Sequence, residues 1–377
     1  MQAVILAAGL GTRLEPVTTT LSKPMVPVAN KPFLEWLSSS LPCDDVALVI
    51  RKEQNDIIDY FSGNDRIQFV FQEKPLGTAD ALKRCKDVVR DRFLVANGDC
   101  YATQADLRRL SKAKNAVAVF ESSNPKAFGS VSVENGNVTS IDEKSGSGSL
   151  VNAGFYSFDE GIFDAIEKTK LSKRNEYELT DAIMLHMQMH EIEAVPLSEW
   201  KTITYPWDIL ELNEAILKEK GSMISKTAEI RSGAVIEEPV AIGDGAVIGP
   251  NCFIRRHTSI GKGCKVGNAV EIKNSIVMDN SFVSHLSYVG DSIVGRNCNI
   301  GAGAIFANLR LDEKTVKMNI KGEKIDSGRK KLGALIGDNV KLGVNVTIMP
   351  GKKIYPNIMV PACHKVEHDL AEQPPLK

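Results

Sequence analysis

The chain has no long hydrophobic run, no excess of either charge and no organised cysteine pattern, and each absence removes a class of protein. No apolar stretch approaches the roughly 20 residues that a helix needs to span a bilayer. The N-terminal apolar run is short and lacks a basic leader, so it reads as a first strand rather than a signal peptide. Lys and Arg number 46 against 47 Asp and Glu, a net charge of -1, so no global field draws the chain to nucleic acid or to a membrane, and any anion site must be local. The 7 cysteines are odd in number and lack C-x-x-C spacing, which argues against a disulfide framework or a zinc site and favours a reducing, cytoplasmic setting. What is present is 377 residues, 43% hydrophobic and 25% charged, enough for two or more domains with separate cores.

The densest signal lies in the first 25 residues, MQAVILAAGLGTRLEPVTTTLSKPM. Ala3 to Ala8 is continuously apolar, as expected of a parallel strand covered on both faces. Gly9 and Gly11 then allow a tight turn whose N–H groups can approach phosphate oxygens. Arg13 and Lys23 are near enough in sequence to converge on one polyphosphate. The dinucleotide fingerprint is excluded because its third glycine would fall at Leu14, and a Walker A loop because no Gly-Lys-Ser/Thr follows.

Up to about Lys220, strand-like runs alternate with helical ones: Val46 to Ile50, Asn55 to Phe61, Gln68 to Phe71, a helix through Thr78 to Val88, and Arg92 to Asp99. This α/β alternation predicts a Rossmann-like domain over 1–221 with a mixed, mostly parallel sheet and a ligand site beyond the strands' carboxyl ends. Ser145 to Ser149, SGSGS, reads as a flexible loop, and Asp208 to Gly221 as a closing helix. A six-residue period follows: Ile224, Ile230, Ile236, Ile242, Ile248, Ile254, Ile260, Val266, Ile272 and Met278. It predicts a parallel β-helix over 222–365. The phase is expected to break after Ser284, resume at Val294 and Ile300, and resume again from Ile336 to Val360. The charged stretch Asp312 to Lys331 should protrude as a loop, and the polar tail 366–377 should end in disorder.

LAAGLGTRLEP, SKPM and KPFLEW, followed by FQEKPLGTADAL, VANGDC, FGSV, VNAGFY, NEYELTD and YPWDIL, resemble the sugar-1-phosphate nucleotidylyltransferases. The resemblance implies a nucleoside triphosphate and a sugar 1-phosphate as substrates and Mg²⁺ as cofactor. Arg13 would hold the departing pyrophosphate and Lys23 would bridge the reacting phosphates. Ala8, Gly9, Gly11, Gln72, Gly77 and Thr78 would bind the nucleotide, and Gly129, Glu143 and Asn152 the sugar hydroxyls. Asp99 and Asp208 would hold the metal, although an Asp before a helix can equally serve as its cap. Ser145 stands where the family usually has proline after Glu-Lys, which leaves the sugar loop less rigid.

In the repeat, IGPNCFIR, VGNAVEIK, SHLSYVGD and NCNIGAGAIFAN resemble the C-terminal domain of the bifunctional enzymes that acetylate glucosamine 1-phosphate and uridylylate the product. That resemblance implies a left-handed helix, a homotrimer and acetyl-CoA as co-substrate. His285 would be the general base, an imidazole being suited to proton exchange near neutrality. Arg255 and Lys273 would hold the sugar phosphate. Tyr288, Asn299 and Asn308 would position the reactants, and the Ala302 backbone would face the oxyanion or coenzyme A. Beyond Asn308 the sequence follows the archaeal-type relatives, where Lys314 and Lys317 are candidate substrate contacts. The expected function is acetylation of glucosamine 1-phosphate and coupling of the product to UTP. One alternative is a glucose-1-phosphate thymidylyl- or uridylyltransferase with a purely structural β-helix, which LEPVTTTLSKPM resembles more closely than it does the bacterial bifunctional enzymes. Another is a non-catalytic scaffold subunit, which Arg13, Lys23 and Asp99 argue against.

Overall fold

The computed structural model describes residues 1–122, 125, 128–143 and 148–375, and the Ser145 region of the expected flexible loop lies outside them. Contacts divide the chain into two compact units, Met1–Leu10 with Leu34–Thr202, and Gly11–Phe33 with Ile203–Lys377.

The first unit is built on nine strands: β1 (Gln2–Leu6), β2 (Asp45–Ile50), β3 (Ile67–Phe71), β4 (Arg92–Asn97), β5 (Ala116–Glu121), β6 (Gly129–Glu134), β7 (Asn137–Glu143), β8 (Leu150–Asp159) and β9 (Glu193–Pro196). They form one mixed sheet in the order β3-β2-β1-β4-β8-β5-β9-β7-β6. The first four run parallel, and antiparallel pairing begins where β8 joins β4. Ala3, Val4 and Ile5 are fully buried, which explains why β1 is apolar without alternation. Leu6 pairs with Asn97, so the segments leaving β1 and β4 emerge side by side at the carboxyl edge. Gly98 permits this, because a Cβ there would lie 2.7 Å from the Leu6 carbonyl oxygen. The helix that begins at Thr78 ends at Lys83 rather than Val88. The bonds Cys85 N to Leu82 O and Val88 N to Cys85 O tighten the rest into turns.

The second unit contains the repeat. Three parallel sheets of seven short strands each stack into a three-sided prism, the architecture of the left-handed parallel β-helix. One corner turns through a left-handed position on every coil, supplied by Gly233, Asn251, Ala269, Leu286, Gly303, Asn345 and Cys363. Inward aliphatics, from Ile242 to Val366, form one continuous core.

The phase differs from expectation. A five-residue step carries Ile272 to Val277, so Val277, not Met278, pairs with Ile260 and joins the axial core. A second five-residue step separates Val289 from Val294, and the coil through His285 is unbroken. Within the expected tail, Val366 ends the last strand, Lys365–Val366, and Leu370 exchanges backbone hydrogen bonds with Lys353 and Tyr355, while the last two residues, 376–377, lie outside the described ones. The stretch Asp312 to Lys331 contains a hairpin, Lys317–Ile320 with Glu323–Asp326, that buries Val316, Met318 and Ile320. Apolar alternation within a charged stretch pins that face down. None of the cysteines is bridged, and burial pushes the Cys85, Cys264 and Cys298 thiols up to about 12.

Phe306 is fully buried on the prism axis. Phe306→Ala should lower the unfolding free energy of this unit by about 3–5 kcal/mol in a denaturant titration. A loss below about 1 kcal/mol would show that the axis is not close-packed there.

Candidate functional site

The loop from Gly11 to Phe33, the candidate phosphate loop, folds with the second unit. Gly11 has φ 67°, and a Cβ there would lie 2.7 Å from the Lys23 Cβ, so only glycine lets the loop pass this closely beneath the lysine. Thr18 Oγ1 donates to the Gly11 carbonyl at 2.9 Å. The loop is fastened at three further points. Thr20 Oγ1 donates to Asp338 at 3.0 Å, Asn30 Nδ2 to Ile260 O at 2.8 Å, and Ala29 N to Asn213 Oδ1 at 2.8 Å. Asp338 is itself held by Arg296 at 2.6 Å, and the fully buried Asn213 also bonds Ser259 and His257 O. The result is a cavity of about 160 Å³ lined by Gly11, Thr12, Arg13, Lys23, Thr204 and Lys321. Sequence reasoning found Arg13 and Lys23 but missed Lys321, whose only signal was a charged residue at a two-residue turn.

Asp208 opens the helix Pro206–Lys220, and its Oδ2 accepts from Thr204 N at 2.8 Å and Tyr205 N at 2.7 Å. It therefore caps the helix with one oxygen and leaves Oδ1 for a cation. Burial pushes its carboxyl up to about 7, against the two amide bonds and Lys23, which act in the opposite direction. A carboxyl binds a divalent cation only when ionised, so protons would compete with any cation at this position near neutral pH. Among the described residues no three His, Cys, Asp or Glu side chains cluster, so any such ion would depend on further ligands from phosphates and water.

The remaining nucleotide and sugar candidates belong to the first unit. Ala8 and Gly9 continue from β1, and Asp99 follows β4 one residue beyond Gly98. The buried Gln72 donates through Nε2 to Gly77 O at 3.1 Å and to Asp80 at 2.8 Å, leaving its Oε1 as acceptor. Gly77 has φ 109° and a Cβ there would lie 2.5 Å from Tyr177 O, so the turn requires glycine. Thr78 Oγ1 caps the neighbouring helix by accepting from Leu179 N at 3.0 Å. Gly129 pairs with Glu143 across the hairpin β6–β7. Asn152 is engaged within β8, donating to Tyr156 Oη at 2.9 Å and accepting from Gly154 N at 3.1 Å. The buried Asn97 Oδ1, in contrast, has no hydrogen-bond partner and is an open acceptor at the strand edge that sequence reasoning did not single out.

On the prism, stacking brings Lys273, Tyr288 and Asn308 together around one carboxylate. Register places Arg255 and Lys273 at equivalent positions on consecutive coils. Arg255 contacts Glu271 at 3.2 Å, and its Nε lies 3.7 Å from the Glu237 carboxylate. Lys273 meets the buried Asp291 at 3.0 Å. Asp291 also accepts from Asn274 at 2.7 Å and from Asn308 at 2.6 Å, and Asn308 donates to Tyr288 Oη at 3.0 Å. Burial and the Asp291 charge raise the Tyr288 pKa. Gly290 admits the tyrosine ring, since a Cβ would lie 2.4 Å from its hydroxyl. Asp291 is thus the hub of the cluster, although sequence reasoning passed over it within SHLSYVGD. His285 is exposed at a corner, and Ala302 follows it one coil on, where Gly303 N donates to His285 O at 2.9 Å. A Cβ on Gly267 would approach the imidazole Nδ1 to 3.1 Å, so the glycine makes room for the ring. Asn299 is exposed on the strand that precedes Ala302. Lys314 and Lys317 stay exposed in the insertion, whose end instead brings Arg329 to 4.0 Å from Asp291.

Residues 2–219 match the Nucleotidyl transferase family and residues 236–328 the GMPPB C-terminal domain. A Bifunctional protein GlmU from Methanocaldococcus jannaschii is 42% identical, with 98% of this chain and 96% of that protein covered. A bifunctional sugar-1-phosphate nucleotidylyltransferase/acetyltransferase from Sulfurisphaera tokodaii is 39% identical, with 94% of each covered. Among solved structures, one from Bacillus anthracis, assigned as a glucose-1-phosphate thymidylyltransferase, has a TM-score of 0.52 at 24% identity. It covers 58% of this chain and 96% of its own, and supports the fold alone.

Asp208 gives a pH test. Its carboxyl holds its proton more tightly in the folded chain than in the unfolded one, so its contribution to stability is full below about pH 4 and lost as pH rises through about 7. In chelator, the melting temperature of wild type should therefore fall relative to Asp208→Asn between pH 5 and pH 8. A difference constant across that range would overturn the raised value.

Proposed function

The chain belongs to the nucleotidyl transferase family and, along its whole length, to the bifunctional sugar-1-phosphate nucleotidylyltransferase/acetyltransferases; from that premise we propose that it makes UDP-N-acetylglucosamine. It acetylates glucosamine 1-phosphate with acetyl-CoA and transfers UMP from UTP to the product, releasing pyrophosphate. The observation that carries the reading is the coexistence, in one chain, of a cationic cavity around Arg13 and Lys23 with an exposed histidine on a prism bearing the Tyr288–Asn308–Asp291–Lys273 cluster. A single-activity transferase with an inert β-helix does not call for that cluster, and the similarity to bifunctional relatives extends through the prism.

In nucleotidyl transfer a phosphate oxygen of the sugar attacks the α-phosphorus and the bond to pyrophosphate breaks. Both partners are anionic, so the protein acts through neutralisation and positioning. Arg13 holds the departing pyrophosphate and Lys23 the reacting phosphates, with Ala8, Gly9 and Gly11 offering backbone to the nucleotide. Gln72 Oε1 faces the pyrimidine N3–H, a donor that its remaining acceptor matches. Gly129, Glu143 and Asn152 orient the sugar. Asp99 and Asp208 are the residues that would hold Mg²⁺, which when bound supplies positive charge to the phosphate oxygens.

In acetyl transfer His285 takes a proton from the sugar amine as its nitrogen attacks the thioester carbonyl. The C–S bond then breaks and coenzyme A leaves as the thiol. Arg255 and Lys273 hold the sugar phosphate, and Tyr288, Asn299 and Asn308 set the amine and acetyl group. The Ala302 backbone faces the developing oxyanion. Exposed Leu286, Phe282 and Val344 near the His285 corner support a homotrimer in which neighbouring prisms complete the acetyl site. The setting we propose is the cytoplasm.

Paired variants test the division of labour. His285→Ala should lower acetyl-transfer turnover by roughly 10²- to 10⁴-fold and leave pyrophosphate release intact, while Asp99→Ala should do the reverse. A stable His285→Ala protein with full acetyl transfer would remove the role from this residue. Light scattering should give about three times the 41.1 kDa chain mass, and a monomeric mass would sink the trimer.

A further inference from the structure

The phosphate cavity has a wall that neither the nucleotidyltransferase motifs nor the acetyl site accounts for. Lys321 lines it together with Arg13 and Lys23, yet follows them by about 300 residues and belongs to the hairpin inserted into the prism. All of the lining residues lie in the second compact unit. We propose that Lys321 is a third phosphate-binding cation, contacting the terminal phosphates of the nucleoside triphosphate and the pyrophosphate that leaves, so that the insertion supplies one wall of this polyphosphate cavity. The inference rests on reading this cavity as a polyphosphate site.

Three observations converge on it. The first is charge and size. The lining contains three cations and no carboxylate, and its volume of about 160 Å³ is below the roughly 300 Å³ at which sites for whole small molecules begin. A cavity of that kind suits the compact, highly charged end of a nucleotide and not its base and ribose. A lysine delivers a point charge with three rotatable donors, which suits a phosphate oxygen whose position shifts as the leaving group departs.

The second is the turn. Ile320 pairs with Glu323, leaving Lys321 and Gly322 as a two-residue connection with φ 52° and 88°. Such a turn favours Asn-Gly, because the Cβ of an L residue is strained at positive φ and Asn can offset this with local hydrogen bonds. The chain places a lysine there, at the tip nearest the cavity.

The third is anchorage. The hairpin is pinned by buried Val316, Met318 and Ile320, and at its base a Cβ on Gly351 would lie 2.6 Å from Lys317 O. Lys317, Asn319 and Lys321 alternate outward, so burying the opposite face fixes which residues point away from the core. The phosphate loop is fastened to the same prism through Thr20, Ala29 and Asn30. Both walls of the cavity are therefore held by one scaffold, and the lysine is presented to the loop and not left on a wandering segment.

The test uses the full-length protein with Lys321→Asn, which keeps a residue suited to the left-handed turn but removes the charge, Lys321→Arg, which keeps the charge, and Lys324→Asn as a control in the same hairpin. Calorimetric binding of inorganic pyrophosphate and of tripolyphosphate is measured alongside both activities and the melting temperature. Lys321→Asn should weaken both anions about tenfold and raise the KM for the triphosphate in step, with acetyl transfer and melting temperature unchanged. Lys321→Arg should restore most of the affinity, and Lys324→Asn should behave as wild type. If Lys321→Asn binds pyrophosphate normally while Arg13→Ala does not, the role of Lys321 is wrong and the polyphosphate reading stands. If Arg13→Ala also binds normally, the reading of the cavity fails with it. Loss of both activities with a lowered melting temperature, unrepaired by Lys321→Arg, would mark a structural residue and overturn the proposal.

Discussion

A coil of the prism closes only when three inward side chains meet on its axis, and the placement of every prism residue discussed above follows from that meeting. Fixing Ile254, Ile272, Val289 and Phe306 on the axis fixes where the outward neighbours stand. Arg255 and Lys273 become a ladder, and Tyr288 comes to rest over Gly290 within reach of Asn308. The two five-residue steps shorten the path between corners without disturbing the axis. An outward residue can therefore be exchanged at little packing cost, which is why charged and polar side chains occupy the ladders and apolar ones the interior.

The buried Asp291 illustrates what such a ladder requires. An isolated buried carboxylate would be costly, but Lys273, Asn274 and Asn308 surround it at 2.6–3.0 Å. Its charge in turn holds Lys273 and the Asn308 amide in fixed directions. A positioned lysine and a positioned tyrosine hydroxyl are the products of one satisfied network, and removing any member leaves the others unpaired in a low-dielectric corner.

Much of this was legible in the sequence because the signals were local and periodic. The β1 strand, the Gly11 turn, the hexapeptide core and the separate positions of His285 and Tyr288 each follow from a handful of adjacent residues. The errors came where geometry is decided at longer range. Met278 kept the period of six in the sequence, but pairing with Ile260 selects Val277, and no local pattern shows a coil one residue short. The charged insertion concealed its own order because Val316, Met318 and Ile320 alternate with polar residues over too few positions to stand out. Asp291 and Lys321 were missed for a related reason: what distinguishes them is who sits beside them, and those partners are 17 to about 300 residues away.

The bond from Thr20 to Asp338 has a consequence for the timing of synthesis. It links residues 318 positions apart, so the loop it fastens is translated long before its partner. At about 5–20 residues per second, Thr20 waits roughly 15 to 60 s for its partner to be made. During that interval β1 and its sheet can assemble, while the Gly11–Phe33 segment that joins Leu10 to Leu34 must remain an open excursion with no prism to settle on. The Gly11 loop, translated long before the prism it is fastened to, is thus among the last parts of its unit to acquire its final form.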